Sequence, residues 1–419
     1  MSGFDFVGET SSVSTKQQEY ITEVLQKRGY KDCKVRIEVV GKAGDNYVAN
    51  VKRIVVENNG EDVFKMIAKI APTNEFSRAS GASIWFKNEN VMYGEIFPKF
   101  RELQNAEDIS DDNYKFAVPE CYGILTEEPN ELILLENLES YAILDKAQPL
   151  TNESVRIILK KFAILHSLSF LWRSKNSEKF ESTSKKLINI FEGMAKMPGF
   201  DVYLETVVNN SKAIMNSEEY GKVYDVITKQ WPELLEKLSK VEATSKYSVF
   251  IHGDAWINNM MFKEENGQLD CIPVDYQQSK LGSPVCDVLH LIFTSTDHGT
   301  RHQHFYEWID YYHSELDKCL SNFGLKVNFI YPKDQFDADL RRYSKAYFVV
   351  GYLMFALMFI KPEDAALLKE LGEKATGRDS MSEVFAGAAE VLAKIDCISL
   401  RGRLVGLVDS FREFGFIDL

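Results

Sequence analysis

Between residues 251 and 262 the chain reads IHGDAWINNMMF. An aspartate and, five residues later, an asparagine sit in a stretch that is otherwise apolar. Burying Asp254 and Asn259 is costly unless something supplies hydrogen bonds or charge, so any fold that accepts this stretch must bring partners to it. A second aspartate, Asp275, follows directly on the β-like run CIPV. Asp-x4-Asn with a second Asp after a strand suits phosphoryl transfer. One carboxylate orients an attacking hydroxyl, while an amide and another carboxylate hold Mg²⁺ on nucleotide phosphates. A buried Asp/Asn network that only satisfies backbone groups is the plainer alternative.

Hydrophobic periodicity divides the rest of the chain. From Cys33 to Ile70 it has period two, in CKVRIEVV, NYVANVKRIVV and VFKMIAKI, which predicts three antiparallel strands. Asn59-Gly60, between the last two, predicts a tight hairpin. Ile84, Trp85, Asn88, Met92 and Ile96 then follow helical spacing, with Pro98 expected to end that helix. CYGIL and ELILLENL read as two more strands, giving five strands and one long helix in the first third. Beyond about residue 139 the pattern turns helical. Thr151 is a candidate N-cap, followed by Val155, Ile158, Leu159, Phe162, Leu165 and Leu168 on one face. The expectation is an α+β chain of two lobes: 1–138, a small antiparallel sheet with its helix, and 139–419, an α-rich lobe carrying the polar stretch.

Composition narrows the partners. With 49 Lys plus Arg against 62 Asp plus Glu the net charge is −13, which repels nucleic acid and anionic membrane surfaces unless basic residues cluster, and no such cluster is visible. The six cysteines are scattered without a CxxC pair, and MSGFDFVGET lacks the features of a signal peptide, so a reducing cytoplasm is expected. The longest apolar stretch, Tyr347 to Ile360, falls short of the roughly 17–25 residues that cross a bilayer and reads as a buried helix. His298, His302 and His304 read as a solvated helix start rather than a zinc site, and His166 as a core histidine. No obligate protein partner is evident.

HGDAWINN followed by VDYQQSKLGSPVCDVLHLIF resembles the insect ecdysteroid kinase-like family, whose members carry H-G-D-x-W-x-x-N and D-F-Q-x-x-x-x-G-S-P-x-x-D. The likeness extends over most of the chain. GKAGDNYVANVKRIVV is similar to that family's nucleotide-covering hairpin, MIAKI to its lysine strand, FKNENVMYGEIFP to its F-x-x-E-x-x-x-Y helix and LILLENL to its lobe linker. The resemblance implies a two-lobed protein-kinase-like fold, related to choline kinases and aminoglycoside phosphotransferases, with ATP and Mg²⁺ as cofactors. It assigns Asp254 as the general base or hydroxyl orienter and Asn259 and Asp275 as metal ligands. Lys69 would hold the α- and β-phosphates, with Glu89 fixing its ammonium. Gly41, Gly44, Asp45 and Asn46 would form the turn over the phosphates. Leu135, Glu136, Asn137 and Leu138 would form the linker that reads adenine through its backbone; Asn137 stands where the family has aspartate. His252 would scaffold the catalytic loop and Asp287 would accept its backbone N–H groups. Tyr276 replaces the family's phenylalanine.

The implied acceptor is a hydroxyl of a small lipophilic molecule, an ecdysteroid or a xenobiotic alcohol such as a dietary toxin. A kinase for choline, ethanolamine or another amino alcohol is the alternative, calling for an acidic and aromatic cage instead of an apolar cleft. A catalytically idle pseudokinase that binds a hydrophobic ligand is a third, opposed by the full set of Lys69, Glu89, Asp254, Asn259 and Asp275.

Overall fold

The structure is a computed structural model. It describes residues 3–41, 50–73, 77–78, 81–107, 109, 111–190, 200–215, 217–239, 245–374, 381–392, 394–395 and 397–417. Alternating residues of β2 (Lys34–Val39), β3 (Asn50–Asn58) and β4 (Glu61–Ile70) put Val35, Ile37, Ile54, Val56, Met66 and Ala68 on one buried face. Asn59 and Gly60, both at positive φ (54° and 84°), close the expected hairpin between β3 and β4. β5 (Cys121–Leu125) and β6 (Leu132–Glu136) complete the antiparallel part, β6 pairing directly with β4 so that Lys69 lies opposite Ile133.

The sheet has six strands, one more than the sequence reading expected: β1 (Asp5–Gly8) adds to the outer edge, parallel to β2. Four residues paired on one side only carry too short an alternation to be read. Helix α1 (Thr15–Lys27) covers the buried face with Ile21, Val24 and Leu25. It opens with a capping box in which Ser14 Oγ accepts from Gln17 N and Gln17 Oε1 accepts from Ser14 N.

The helix expected to stop at Pro98 runs on. α2 (Ala82–Val91) passes into a π-helical turn (Met92–Ile96) and then α3 (Phe97–Asn105). The wider turn bonds Phe97 N to Met92 O and leaves Pro98 in the first turn of α3, where a missing N–H costs nothing.

After the short β7 (Ala142–Ile143) comes the α-rich half. Thr151 caps α4 (Asn152–Lys175), its side chain accepting from Ser154 N as expected, and α5 (Ser177–Ser184), α6 (Phe200–Ile214) and α7 (Ser217–Ser239) follow. β8 (Val249–Ile251), β9 (Met260–Glu265), β10 (Gln268–Pro273) and β11 (Lys280–Gly282) interrupt the helices and hold the polar stretch. Then come α8 (Val285–Ser295), α9 (His298–Ser321), α10 (Val327–Ile330), α11 (Lys333–Met358), α12 (Pro362–Lys374), α13 (Met381–Leu392) and α14 (Cys397–Glu413). The apolar stretch from Tyr347 lies in α11 and packs into the main core. Among the described residues no single helix is long and apolar enough to cross a membrane. Sheet with α2 on one side, helices on the other and short strand pairs between them make the two-lobed protein-kinase-like fold.

Lys280 on β11 is buried and donates to Leu238 O (3.2 Å) and Asn189 Oδ1 (3.3 Å). Burial pulls its pKa down to about 8, against the pull of Cys286 and Asp287. The folded protein therefore loses this proton at lower pH than the unfolded chain, and stability rises with pH from about 8 to the ordinary lysine range, by up to ~1.4 kcal/mol per pH unit. Urea denaturation from pH 7 to 10 should show this rise in the wild type and its loss in Lys280→Met; equal pH slopes would refute the assignment.

Candidate active site

Lys69 and Glu89 come from neighbouring elements of the N-terminal half. Lys69 sits on β4 and Glu89 on α2, and Lys69 Nζ lies 2.5 Å from Glu89 Oε2 and 2.8 Å from Asp275 Oδ1. Asp275 belongs to the other half, in the loop after β10, and is at φ 67°, a left-handed conformation uncommon for a non-glycine residue. Burial works against the Lys69 ammonium, but the carboxylates of Asp275 and Glu89 outweigh it and hold its pKa above the ordinary lysine value. Glu89 also accepts from the backbone N–H of Tyr276 through Oε1 (3.2 Å). Lys69 has two carboxylate partners, so loss of either leaves the buried ammonium paired with the other and costs less than the roughly 3–5 kcal/mol of breaking a lone buried pair.

The loop from Ile251 to Asn259 answers how Asp254 and Asn259 are buried. Asp287, on the first turn of α8, accepts from His252 N at 2.7 Å and from Gly253 N at 2.9 Å. His166 Nε2, 3.1 Å away, donates to the same carboxylate, and the Tyr312 hydroxyl donates to His166 Nδ1 at 2.7 Å. Burial raises the Asp287 pKa, yet the hydrogen bonds from His166 and the loop N–H groups bring it below the ordinary carboxylate value. His252 Nε2 donates to Val274 O (3.0 Å), leaving Nδ1 to accept from Asp254 N (3.3 Å). This geometry ties the loop carrying Asp254 to the strand leading to Asp275. Tyr276 packs edge-on to Phe97 with ring centroids 4.7 Å apart and lies 4.6 Å from the His252 ring.

Asn259 Nδ2 donates to both Asp254 O and Asp254 Oδ2 at 2.9 Å, so its amide oxygen remains as an acceptor. Burial, helped by the charge of Asp275, pushes the Asp254 carboxyl up to about 7, against the hydrogen bond from Asn259. The amide oxygen of Asn259 and the carboxylate of Asp275 are two hard oxygen donors, a set that suits a magnesium ion completed by phosphate and water. Among the described residues no group of three or more His, Cys, Asp or Glu is arranged to hold a metal.

In the linker, Leu135 is buried at the end of β6, and Glu136 N donates to Glu120 O (2.8 Å). Asn137 O accepts from Glu139 N and Leu138 O from Tyr141 N. Gly41, two residues beyond β2, is at φ 81°, whereas Gly44, Asp45 and Asn46 lie outside the described residues. His302 faces Glu413 at 2.6 Å and His304 faces Glu307 at 3.0 Å, so those histidines do have carboxylates beside them.

Two residues of the site escaped the sequence reading. Asn88, next to Glu89, donates to Ile188 O (2.8 Å) and Gln277 O (3.2 Å) and accepts from Ile188 N (2.8 Å). Its place among the apolar residues at helical spacing marks it as inward-facing, but its partners are far off in sequence and the spacing does not disclose them. His290 is buried three residues after Asp287 on the same helix, with Nε2 3.9 Å from Asp254 Oδ1; CDVLH, an aspartate and a histidine one turn apart, was the available signal.

Residues 43–325, more than half of the chain, match the ecdysteroid kinase-like family. The chain belongs to that family. No curated protein matches it. Among solved structures it is similar to a microcompartment-associated aminopropanol kinase, at 12% identity and TM-score 0.36 over 92% of this chain and 99% of that one. It is also similar to an aminoglycoside phosphotransferase from Streptomyces rimosus in complex with ADP and streptomycin (13%, 0.33, 81% and 99%). A third is a putative fructosamine-3-kinase from Haemophilus somnus (13%, 0.35, 87% and 95%).

Gly253 tests the loop in this ecdysteroid kinase-like chain. It is at φ 83°, and a Cβ there would lie 2.2 Å from the backbone oxygen of Gln278. Gly253→Ala should cost more than about 2 kcal/mol in chemical denaturation, because strain and a backbone clash add. A variant of unchanged stability would show that the loop relaxes freely.

Proposed function

We propose that this chain is an ATP- and Mg²⁺-dependent phosphotransferase acting on a hydroxyl of a small lipophilic molecule, an ecdysteroid or a xenobiotic alcohol. Family membership supports the reaction class. The observation that carries the reading is the Lys69 ammonium held between Glu89 and Asp275, with the Asp254–Asn259 pair on the adjoining loop. Lys69 binds the α- and β-phosphates as a fixed positive charge, kept in place by Glu89. Asn259 and Asp275 are the residues that hold the magnesium ion, which supplies charge neutralisation on the phosphates when bound. Asp254 accepts the proton of the acceptor hydroxyl as its oxygen bonds to the γ-phosphorus and the bond from that phosphorus to ADP breaks. A carboxyl raised toward neutrality is a stronger base than an ordinary one, which suits that role. Leu135 to Leu138 form the adenine-reading linker, and Gly41 begins the turn over the phosphates.

The decisive experiment is mass spectrometry of products after incubation with MgATP and a pooled panel of ecdysteroids, plant steroid and phenolic alcohols, choline and ethanolamine. A phosphoryl adduct absent with Asp275→Asn is expected, and an adduct on choline alone would move the acceptor to the amino-alcohol class. No adduct on any compound overturns the reading. Asp254→Asn should lower kcat by about 10²–10⁴ with nucleotide affinity little changed. Collapse of ATP binding in that variant would reassign Asp254 to the nucleotide site.

A further inference from the structure

His290 has no role in the reaction outlined above, yet it stands beside its base. Its imidazole is more than nine-tenths buried, and Nε2 has no hydrogen-bond partner. The other side of the ring shares a hydrogen bond with the backbone of Gly253, and the Tyr347 ring lies 5.7 Å away. With Nδ1–H on the Gly253 carbonyl, Nε2 presents a bare lone pair, and what it faces, 3.9 Å away, is Asp254 Oδ1. Asp254 Oδ2 is already taken by Asn259. The Asp254 carboxylate also receives the side chains of Gln278 and Trp256, whereas His290 Nε2 stands beside it as a buried acceptor with no donor, an arrangement that is costly unless a ligand completes it.

We infer that Asp254 Oδ1 and His290 Nε2 form a two-point acceptor for a molecule that presents two donors on adjoining atoms. The hydroxyl to be phosphorylated donates to Asp254, and a second O–H or N–H on the neighbouring carbon donates to His290. Two acceptors 3.9 Å apart match the spacing of such a pair, since each heavy-atom hydrogen bond spans about 2.8 Å and the donors need approach no closer than in a gauche diol. Nε2 is shielded from bulk solvent and faces Asp254, so a donor that reaches it comes from the Asp254 side. His290 is therefore a specificity-determining residue, and the preferred acceptors are vicinal diols and amino alcohols bearing an N–H. Alcohols whose neighbouring carbon carries no donor, or a quaternary nitrogen, are disfavoured. This rests on the kinase reading and narrows its substrate class.

The test measures kcat/KM for matched pairs: estriol against 17β-estradiol, 1-phenylethane-1,2-diol against 2-phenylethanol, and ethanolamine against choline. The wild type should favour the first member of each phosphorylated pair by about 10- to 100-fold, the effect of one unmet buried hydrogen bond. His290→Phe should abolish that ratio, and His290→Gln, which keeps an acceptor, should restore part of it. Equal efficiency within pairs in the wild type overturns the inference while leaving the kinase reading intact, and this arm decides even where a variant does not fold. A preference that persists in folded His290→Phe likewise overturns it. No phosphorylation of any compound, including the pooled panel, overturns the kinase reading and this inference together.

Discussion

The buried carboxylate of Asp287 is the point on which the site's geometry depends. It receives two consecutive backbone N–H groups, those of His252 and Gly253, together with the ring of His166, itself anchored to Tyr312. Consecutive N–H groups can aim at one carboxylate only if the chain turns sharply, and the left-handed Gly253 makes that turn. The turn lets His252 accept from Asp254 N while donating to Val274 O. One acceptor on α8 thus sets the position of Asp254, and through His252 it sets the entry to the loop carrying Asp275. Hydrogen bonds to an ionised group of this kind contribute about 1.5–3 kcal/mol each.

Across the cleft the same economy holds. Lys69 satisfies Glu89 from its own half and Asp275 from the other, while the second oxygen of Glu89 takes Tyr276 N. The ion pair and the backbone contact lie side by side, so the sheet, α2 and the loop after β10 share one electrostatic knot. Its members are separated by up to 206 positions in the chain, which makes the knot a product of the whole fold.

Much of this was legible beforehand, and the reasons are local. The period of two over residues 33–70, the Asn59-Gly60 turn and the Thr151 cap are short-range signals, and each produced the element it implied. His166 read as a satisfied core histidine because its neighbours four residues away were apolar, and it is one. Where the outcome differed, a tertiary or backbone effect intervened. Pro98 did not end its helix because a π-turn absorbed it, and β1 was invisible because only its pairing with β2 makes it a strand. His290 and Asn88 were missed for one reason: the meaning of a polar side chain in a helix lies in what stands opposite, and no spacing rule carries that.

The placement of Asn88 bears on control of the enzyme. Its amide holds both backbone groups of Ile188 and the carbonyl of Gln277, so α2 is pinned from behind while Glu89 pins it from the front. Rotating this helix outward would orphan the backbone groups of Ile188 and Gln277 that Asn88 holds and take away one of the two carboxylates on Lys69. The position of this helix is therefore fixed by residues distant in the chain on more than one of its sides, and displacing it is costly whatever the site holds.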